Sequence, residues 1–325
     1  MKVIVTGGAG FIGSCIVRTL NDMGYTNIII VDHIESTEKW QNMRNKIYTE
    51  YINRDDFISR LPEFTDVDLI IHMGACSATT EKNFDFLYKN NFEFTKNLWK
   101  FCSDNEIRFI YASSAATYGD GSHGFDDKAD IKKLCPLNGY GYSKQLFDLW
   151  VEKEIFAQKK MPKQHVGFKF FNVYGPNEYF KGSMASVIFH SFNKITETGE
   201  MGLFKSYKDE YKDGCQLRDF VYVKDLCKVI QFMIANENIN GLFNLGTGTA
   251  RSFYDLAANT FRAMGLEPKI NFIEMPENLR EKYQYYTQAE MIKLRDVGYT
   301  ESFYTLEEGV KDYVQNYLMK NKEIW

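Results

Sequence analysis

The sequence predicts an α/β protein: a doubly wound parallel sheet with a second, smaller α/β lobe. Three observations carry that prediction. Short β-rich apolar runs alternate with helical stretches through the first half of the chain. Several runs, such as Ile28-Ile29-Ile30-Val31 and Leu69-Ile70-Ile71, are apolar on consecutive residues, as strands covered on both faces require. A glycine-rich segment falls where the first strand should turn into the first helix.

The elements follow in order. Candidate strands are Val3–Thr6, 27–32, 67–72, 108–113 and 165–171, with helices expected over 12–23, 84–104 and 140–159. After Asn172 the rhythm breaks at a Tyr174-Gly175-Pro176 turn, followed by a helical stretch 184–197 and a charged stretch 205–213. Residues 219–223 and 242–245 read as short buried strands that could rejoin the first sheet. This gives two interleaved lobes: 1–171 with 218–248 as the nucleotide-binding lobe, and 172–217 with 249–325 as the substrate lobe.

Length and composition narrow the function classes. A chain of 325 residues, 44% hydrophobic, can bury a sizeable core. Its formal net charge of -4 gives no basic footprint for nucleic acid or an anionic membrane. No apolar run reaches the roughly 20 residues of a membrane span, and Met1-Lys2 runs directly into a strand without a signal peptide. A cytoplasmic location is expected. The six cysteines (Cys15, Cys76, Cys102, Cys135, Cys215, Cys227) show no CxxC pair and read as free thiols packed as small hydrophobes. Five scattered histidines offer no metal-ligand spacing, so no metal site is expected.

The segment Thr6-Gly7-Gly8-Ala9-Gly10-Phe11-Ile12-Gly13 opens the chemistry. Glycines let the backbone turn tightly and approach a pyrophosphate, whose charge sits at the N-terminus of the next helix. Asp32 ends the next strand roughly 20 residues on, placed to accept hydrogen bonds from an adenosine ribose. Strand, cradle, helix and acid together specify a Rossmann-type dinucleotide site. Asp32 alone favours NAD, because a carboxylate repels a 2′-phosphate. Lys39 and Arg54 could neutralise that phosphate and admit NADP, or could be solvated surface charges.

Tyr140-Gly141-Tyr142-Ser143-Lys144 places Tyr140 and Lys144 one helical turn apart on a shared face, while Tyr142 looks elsewhere. A phenol is a poor base at neutral pH. The Lys144 ammonium, with an oxidised nicotinamide, is expected to favour the phenolate and lower its pKa. Ser114, at the end of the strand 108–113, offers a hydroxyl to the reacting carbinol and its carbonyl product.

These residues together resemble the extended short-chain dehydrogenase/reductases. The segments Gly74-Ala75-Cys76-Ser77, Lys181-Gly182-Ser183-Met184-Ala185-Ser186, Arg218-Asp219-Phe220-Val221-Tyr222-Val223 and Thr287-Gln288-Ala289 narrow the resemblance to the ADP-L-glycero-D-manno-heptose 6-epimerase family of nucleotide-sugar epimerases. The resemblance implies epimerisation at C6 of an ADP-heptose, by oxidation to a 6-keto sugar and re-reduction on the opposite face, in lipopolysaccharide core synthesis. It implies a second acid/base, Lys181, beside Tyr140. It implies NADP as cofactor, held by Gly7, Gly10, Phe11, Ile12, Gly13, Asp32, His33, Lys39, Arg54, Met73, Gly74, Ala75, Cys76, Ser77, Asn90, Lys144, Val173 and Lys181. Substrate contacts would come from Asn172, Ser183, His190, Arg218 and Tyr283, with Phe204, Lys205, Ser206 and Tyr207 near the nucleotide end. The only partners implied are the ADP-sugar and further copies of the chain, pentamers by analogy. The stretch 205–216 is longer and differently charged than the family pattern.

Three other readings compete. A 4,6-dehydratase would need an acid and base after the catalytic hydroxyl, where Ala115-Ala116 stand. A 4-epimerase keeps Ser, Tyr and Lys but has no use for Lys181 in this motif. A non-catalytic dinucleotide-binding regulator could lose Tyr140 or Lys144 without penalty, and both are present.

Overall fold

A computed structural model describes residues 1–280 and 283–325. Strands β1 (Val3–Thr6), β2 (Ile28–Asp32), β3 (Glu50–Asn53), β4 (Leu69–His72), β5 (Arg108–Ser114) and β6 (His165–Phe170) are joined in one sheet by a late strand, β10. Between β6 and β10 lie β7 (Asn172–Tyr174), β8 (Met201–Phe204) and β9 (Leu217–Tyr222); β10 spans Gly241–Leu245. The seven-stranded sheet has the order β10-β6-β5-β4-β1-β2-β3, and every pairing in it is parallel. Strand order reverses between β1 and β4, and a crevice opens at the carboxyl ends there, where ligands bind in open parallel sheets.

Alternate residues of the central strands feed opposite cores. Val3, Val5, Ile28, Ile30, Leu69 and Ile71 face one apolar cluster, whereas Ile4, Ile29, Val31 and Ile70 face the other. Burial of each such side chain contributes about 1.5–3 kcal/mol. That two-sided demand explains why these strands are apolar at consecutive positions.

The smaller lobe carries a three-stranded sheet, β11-β9-β7, with β11 at Ala250–Ser252, and a two-stranded sheet, β12-β8, with β12 at Ile270–Ile273. The segment 219–223 therefore does not rejoin the first sheet. Residues 219–222 lie in β9, between parallel β7 and antiparallel β11, and Val223 opens the next helix, while 242–245 does rejoin, as β10. The strands β3, β7, β8 and β12 are short or half-exposed and gave no apolar run to read.

The expected helix 84–104 is broken by a π-helical turn, Tyr88–Glu93, between α-helices Phe84–Leu87 and Phe94–Asp104. Among the cysteines, Cys15, Cys102 and Cys227 are buried as expected, but Cys135 is exposed and Cys76 and Cys215 are half-buried. No helix of the described residues is long and apolar enough to cross a membrane.

The chain's final residues fold back onto its first and middle thirds. Trp325 N–H donates to Asn177 Oδ1 at 2.9 Å, and Lys46 Nζ donates to Trp325 O at 2.7 Å. Tyr179 donates to Glu323 O at 2.8 Å. Asn42 Nδ2 lies between Ala9 O (3.0 Å) and Asn177 O (3.1 Å), so one amide joins the glycine cradle to this latch.

Candidate active site

The cradle is built for backbone rather than side chains. Gly7 has φ +70°, and a Cβ there would stand 2.7 Å from Gly74 N; on Gly13 it would stand 2.1 Å from Gly7 O. The helix Phe11–Asp22 begins at Gly10 without a side-chain cap, so its first-turn N–H groups are free for an anion. Gly7, Gly10, Phe11, Ile12 and Gly13 line a cavity of about 550 Å³ together with Met73, Gly74, Ala75 and Ser77. These features fit a dinucleotide pyrophosphate.

At the adenosine end, Asp32 accepts from Ala9 N–H through Oδ2 (2.9 Å). Through Oδ1 it accepts from His33 N–H (2.7 Å) and Lys39 Nζ (2.9 Å). The carboxylate is therefore already paired with a cation. Arg54 is aimed by Asn90, donating to its Oδ1 at 2.8 Å, and bonds Asp55 on the other side. Asp32, His33, Lys39, Arg54, Cys76 and Asn90 share a smaller cavity of about 280 Å³ that shares Gly7, Asp32, Lys39, Gly74 and Ala75 with the first.

Tyr140, Lys144 and Ser114 meet in the larger cavity with Val173, Asn172 and Lys181. The helix Gly139–Phe156 is capped by Asn138, whose Oδ1 accepts from Gly141 N–H, and this fixes the first turn that carries Tyr140. Lys144 Nζ donates to Ala112 O at 3.0 Å, and burial lowers its pKa to about 8. Tyr142 points away, stacked on Phe84 at 5.5 Å.

The electrostatics of Tyr140 differ from expectation. Burial raises its pKa, and the Ser114 hydroxyl, not Lys144, is the group that lowers it. Lys181 comes from the turn after β7, with its Nζ over the Phe11 ring at 5.4 Å. Burial lowers its pKa and Glu178 raises it.

The expected substrate residues fall into three groups. Asn172 lines the main cavity. Arg218 is 8% exposed and has no carboxylate partner among the described residues. Its guanidinium stacks between Phe253 (5.6 Å), itself a cavity residue, and Tyr283 (5.3 Å), and donates to Leu217 O and Gln284 O. A buried cation held open in this way suits an anionic group of the ligand. Tyr283 packs edge-on against Phe204 at 6.3 Å.

Ser206 and Tyr207 line a separate cavity of about 820 Å³ with Lys208, Asp213, Cys215 and Tyr254. The long stretch 205–216 thus forms a wall of its own. Lys205 is turned onto Glu274 at 2.7 Å. Ser183 and His190 are exposed and do not line the main cavity. Ser183 sits in a one-turn helix, Gly182–Met184, that directs Met184 inward instead, and His190 lies on the outer face of the helix Val187–Thr198.

Several site residues escaped sequence reasoning. Asn91, buried in the π-helical turn, braces the cofactor loop by accepting from Cys76 N–H (2.9 Å) and donating to Cys76 O (3.0 Å) and Ser143 Oγ (3.0 Å). Phe220 and Phe253 wall the cavity from the smaller lobe. Asp219, beside Arg218, is structural: it accepts from Thr247, Gly248 and Ala289 N–H groups, which accounts for the Thr287-Gln288-Ala289 segment.

Comparison with known proteins agrees with this geometry. Residues 3–246 match the model of the NAD dependent epimerase/dehydratase family. The ADP-L-glycero-D-manno-heptose-6-epimerase of Fusobacterium nucleatum is 52% identical over 98% of this chain and 98% of its own. Its counterpart in Nitratidesulfovibrio vulgaris is 51% identical over 97% of each. The crystal structure of the Helicobacter pylori ADP-L-glycero-D-manno-heptose-6-epimerase superposes with a TM-score of 0.78. It is 28% identical and covers 97% of this chain and 95% of that one.

Proposed function

The chain belongs to the NAD dependent epimerase/dehydratase family, among its ADP-L-glycero-D-manno-heptose-6-epimerases, and on that premise we propose how its site inverts C6. The reaction is conversion of ADP-D-glycero-D-manno-heptose to ADP-L-glycero-D-manno-heptose, a precursor of the lipopolysaccharide core. One observation supports the mechanism: Tyr140 and Lys181 line a single cavity from different elements, as two acid/base groups acting on one sugar carbon require.

The bound dinucleotide supplies a hydride acceptor that serves as donor on return. Tyr140 takes the C6 hydroxyl proton as that carbon loses its hydride, leaving a 6-keto sugar, and the Ser114 hydroxyl donates to the same oxygen. After the ketone turns its other face, Lys181 protonates the oxygen as the hydride is restored. The sugar recovers a hydride and a proton, so there is no net redox change, and proton exchange with solvent resets Tyr140 and Lys181 before the next turnover. Lys144 holds a cation beside the reacting groups, and Arg218 grips the diphosphate.

NADP is the cofactor in this reading. It is supported by the pairing of Asp32 with Lys39, which offsets the carboxylate charge, and by Arg54 in the same cavity. A homo-oligomeric assembly is proposed on the resemblance, and the cytoplasmic setting is kept as the expectation from the sequence.

The test is incubation of purified protein, without added cofactor, with ADP-D-glycero-D-manno-heptose and NMR of the C6 configuration. Conversion to a mixture with the L-glycero epimer supports substrate, reaction and retained cofactor together. No conversion even with NADP and NAD supplied would return the substrate to other nucleotide sugars.

A further inference from the structure

Glu178 takes no part in the mechanism above, yet it is a fully buried carboxylate three residues from Lys181. Burying a charge without partners is costly, so its contacts identify its role. Oε2 accepts from Ser186 N–H at 2.6 Å, and Oε1 accepts from Ser186 Oγ at 2.6 Å and from Gly175 N–H at 3.4 Å. Gly175 and Ser186 are the two ends of the loop whose middle carries Lys181. Ser186 also caps the helix Val187–Thr198, its Oγ accepting from Phe189 N–H at 3.2 Å. The backbone between follows tight turns, with Lys181 N–H on Glu178 O at 3.1 Å and Met184 N–H on Lys181 O at 3.1 Å. One carboxylate thus ties the start, the finish and the helix cap of the loop into a unit.

We propose that Glu178 is a positioning residue for Lys181, closing the loop that presents the lysine to the cavity and supplying the negative charge that keeps its ammonium protonated. The proposal rests on the reading of Lys181 as the second acid/base. Lys181 Nζ lies over the Phe11 ring from the first helix, and Glu178, three residues earlier in its own loop, is the charged group acting on it. The other titratable groups beside Glu178 are Tyr179 and, from the helix Leu306–Asn316, Tyr313, and burial pushes both phenols upward. In apolar surroundings a lysine shifts toward the neutral amine, which cannot donate a proton to the keto oxygen. Burial pushes the Glu178 carboxyl up as well, the Ser186 hydrogen bonds hold it down, and in its ionised form it opposes the lysine's shift.

The experiment compares wild type, Glu178→Gln, Glu178→Asp and Lys181→Met by NMR titration of isotopically labelled lysines, with the Lys181 signal assigned by its loss in Lys181→Met. The same proteins are assayed for epimerisation across pH. In Glu178→Gln the Lys181 pKa should fall by about one to three pH units, the range for loss of a nearby opposite charge. The alkaline limb of kcat should move to lower pH with it, with KM nearly unchanged, and Glu178→Asp should restore the titration toward wild type. An unmoved Lys181 titration in folded Glu178→Gln overturns the proposal, as does a kcat loss with an unshifted pH profile, which marks a merely structural role. Should Glu178→Gln fail to fold, Ser186→Ala removes one Glu178 bond and keeps the charge. It should leave the Lys181 pKa and the pH profile in place, and a fall in that pKa with the Glu178 charge still present overturns the proposal. Full activity in Lys181→Met sinks the two-base reading itself, a result distinct from any of these.

Discussion

Lys169 and Asp148 form an ion pair of 2.9 Å beneath the catalytic strand end, with side chains 1% and 0% exposed. The same ammonium donates to Thr117 Oγ1 at 2.6 Å and lies 4.9 Å from the Tyr118 ring centre, while Asp148 also accepts from Ser113 Oγ at 2.8 Å. The pair therefore fixes both residues flanking the Ser114 turn. Removing one partner leaves the other charge buried alone. Lys169→Met is expected to lower unfolding free energy by about 3–5 kcal/mol, read from urea denaturation. A loss near zero would show that Asp148 is accommodated without it.

Tyr140→Phe and Lys181→Met each remove one of the two proposed acid/base groups from the cavity they share. Each should slow epimerisation by about 10²- to 10⁴-fold, followed by NMR of the C6 configuration. The circular dichroism spectrum and the retained dinucleotide should be unchanged. A fully active Lys181→Met enzyme would leave Tyr140 to serve both faces.

Lys144 makes stability depend on pH. Its pKa is lowered from 10.5 to about 8, chiefly by burial, so the folded protein releases this proton at a lower pH than the unfolded chain does. Between these values the unfolded chain binds the proton and the folded one does not, so stability rises with pH there; below about 8 the full cost of the buried charge is present. That cost is about 3 kcal/mol. Relative to Lys144→Met, wild type should gain up to this amount between pH 8 and 10.5 in parallel denaturation series. A constant difference across that range would contradict the assignment.

Arg54 is expected to discriminate the cofactors. Its guanidinium is aimed by Asn90 into the cavity that Asp32 and Lys39 share. A charge-assisted contact contributes about 1.5–3 kcal/mol, so Arg54→Ala should weaken NADP by roughly 10- to 100-fold and leave NAD nearly unaffected. Equal weakening of both, measured by titration calorimetry on the dinucleotide-free protein, would return the site to NAD.

Much of the nucleotide half was legible in the sequence because its rules are local. Gly7 and Gly13 occupy positions where a Cβ collides with backbone, and Asp32 stands at the end of an apolar run. Tyr140 and Lys144 converge through helical spacing alone. The remainder depends on contacts that no local pattern encodes. Asn91 works because a π-helical turn rotates it onto the Cys76 loop, and such turns have no periodicity to detect. Arg218 gains its setting from Phe253 and Tyr283, each more than thirty residues away along the chain. Ser183 and His190, carried over from a motif, were placed by tight turns and helix phase that spacing does not reveal.

The latch between Trp325 and Asn177 bears on the order in which the site assembles. Asn177 directly precedes Glu178, and its partners lie 148 residues along the chain at Trp325 and 163 away at Ser14. Closing contacts over such separations costs chain entropy before any reward is returned. The cradle, built from neighbouring strands and their connecting turn, needs no such search. During refolding, dinucleotide binding should therefore be recovered before epimerisation, with the Lys181 turn the last part of the site to become native.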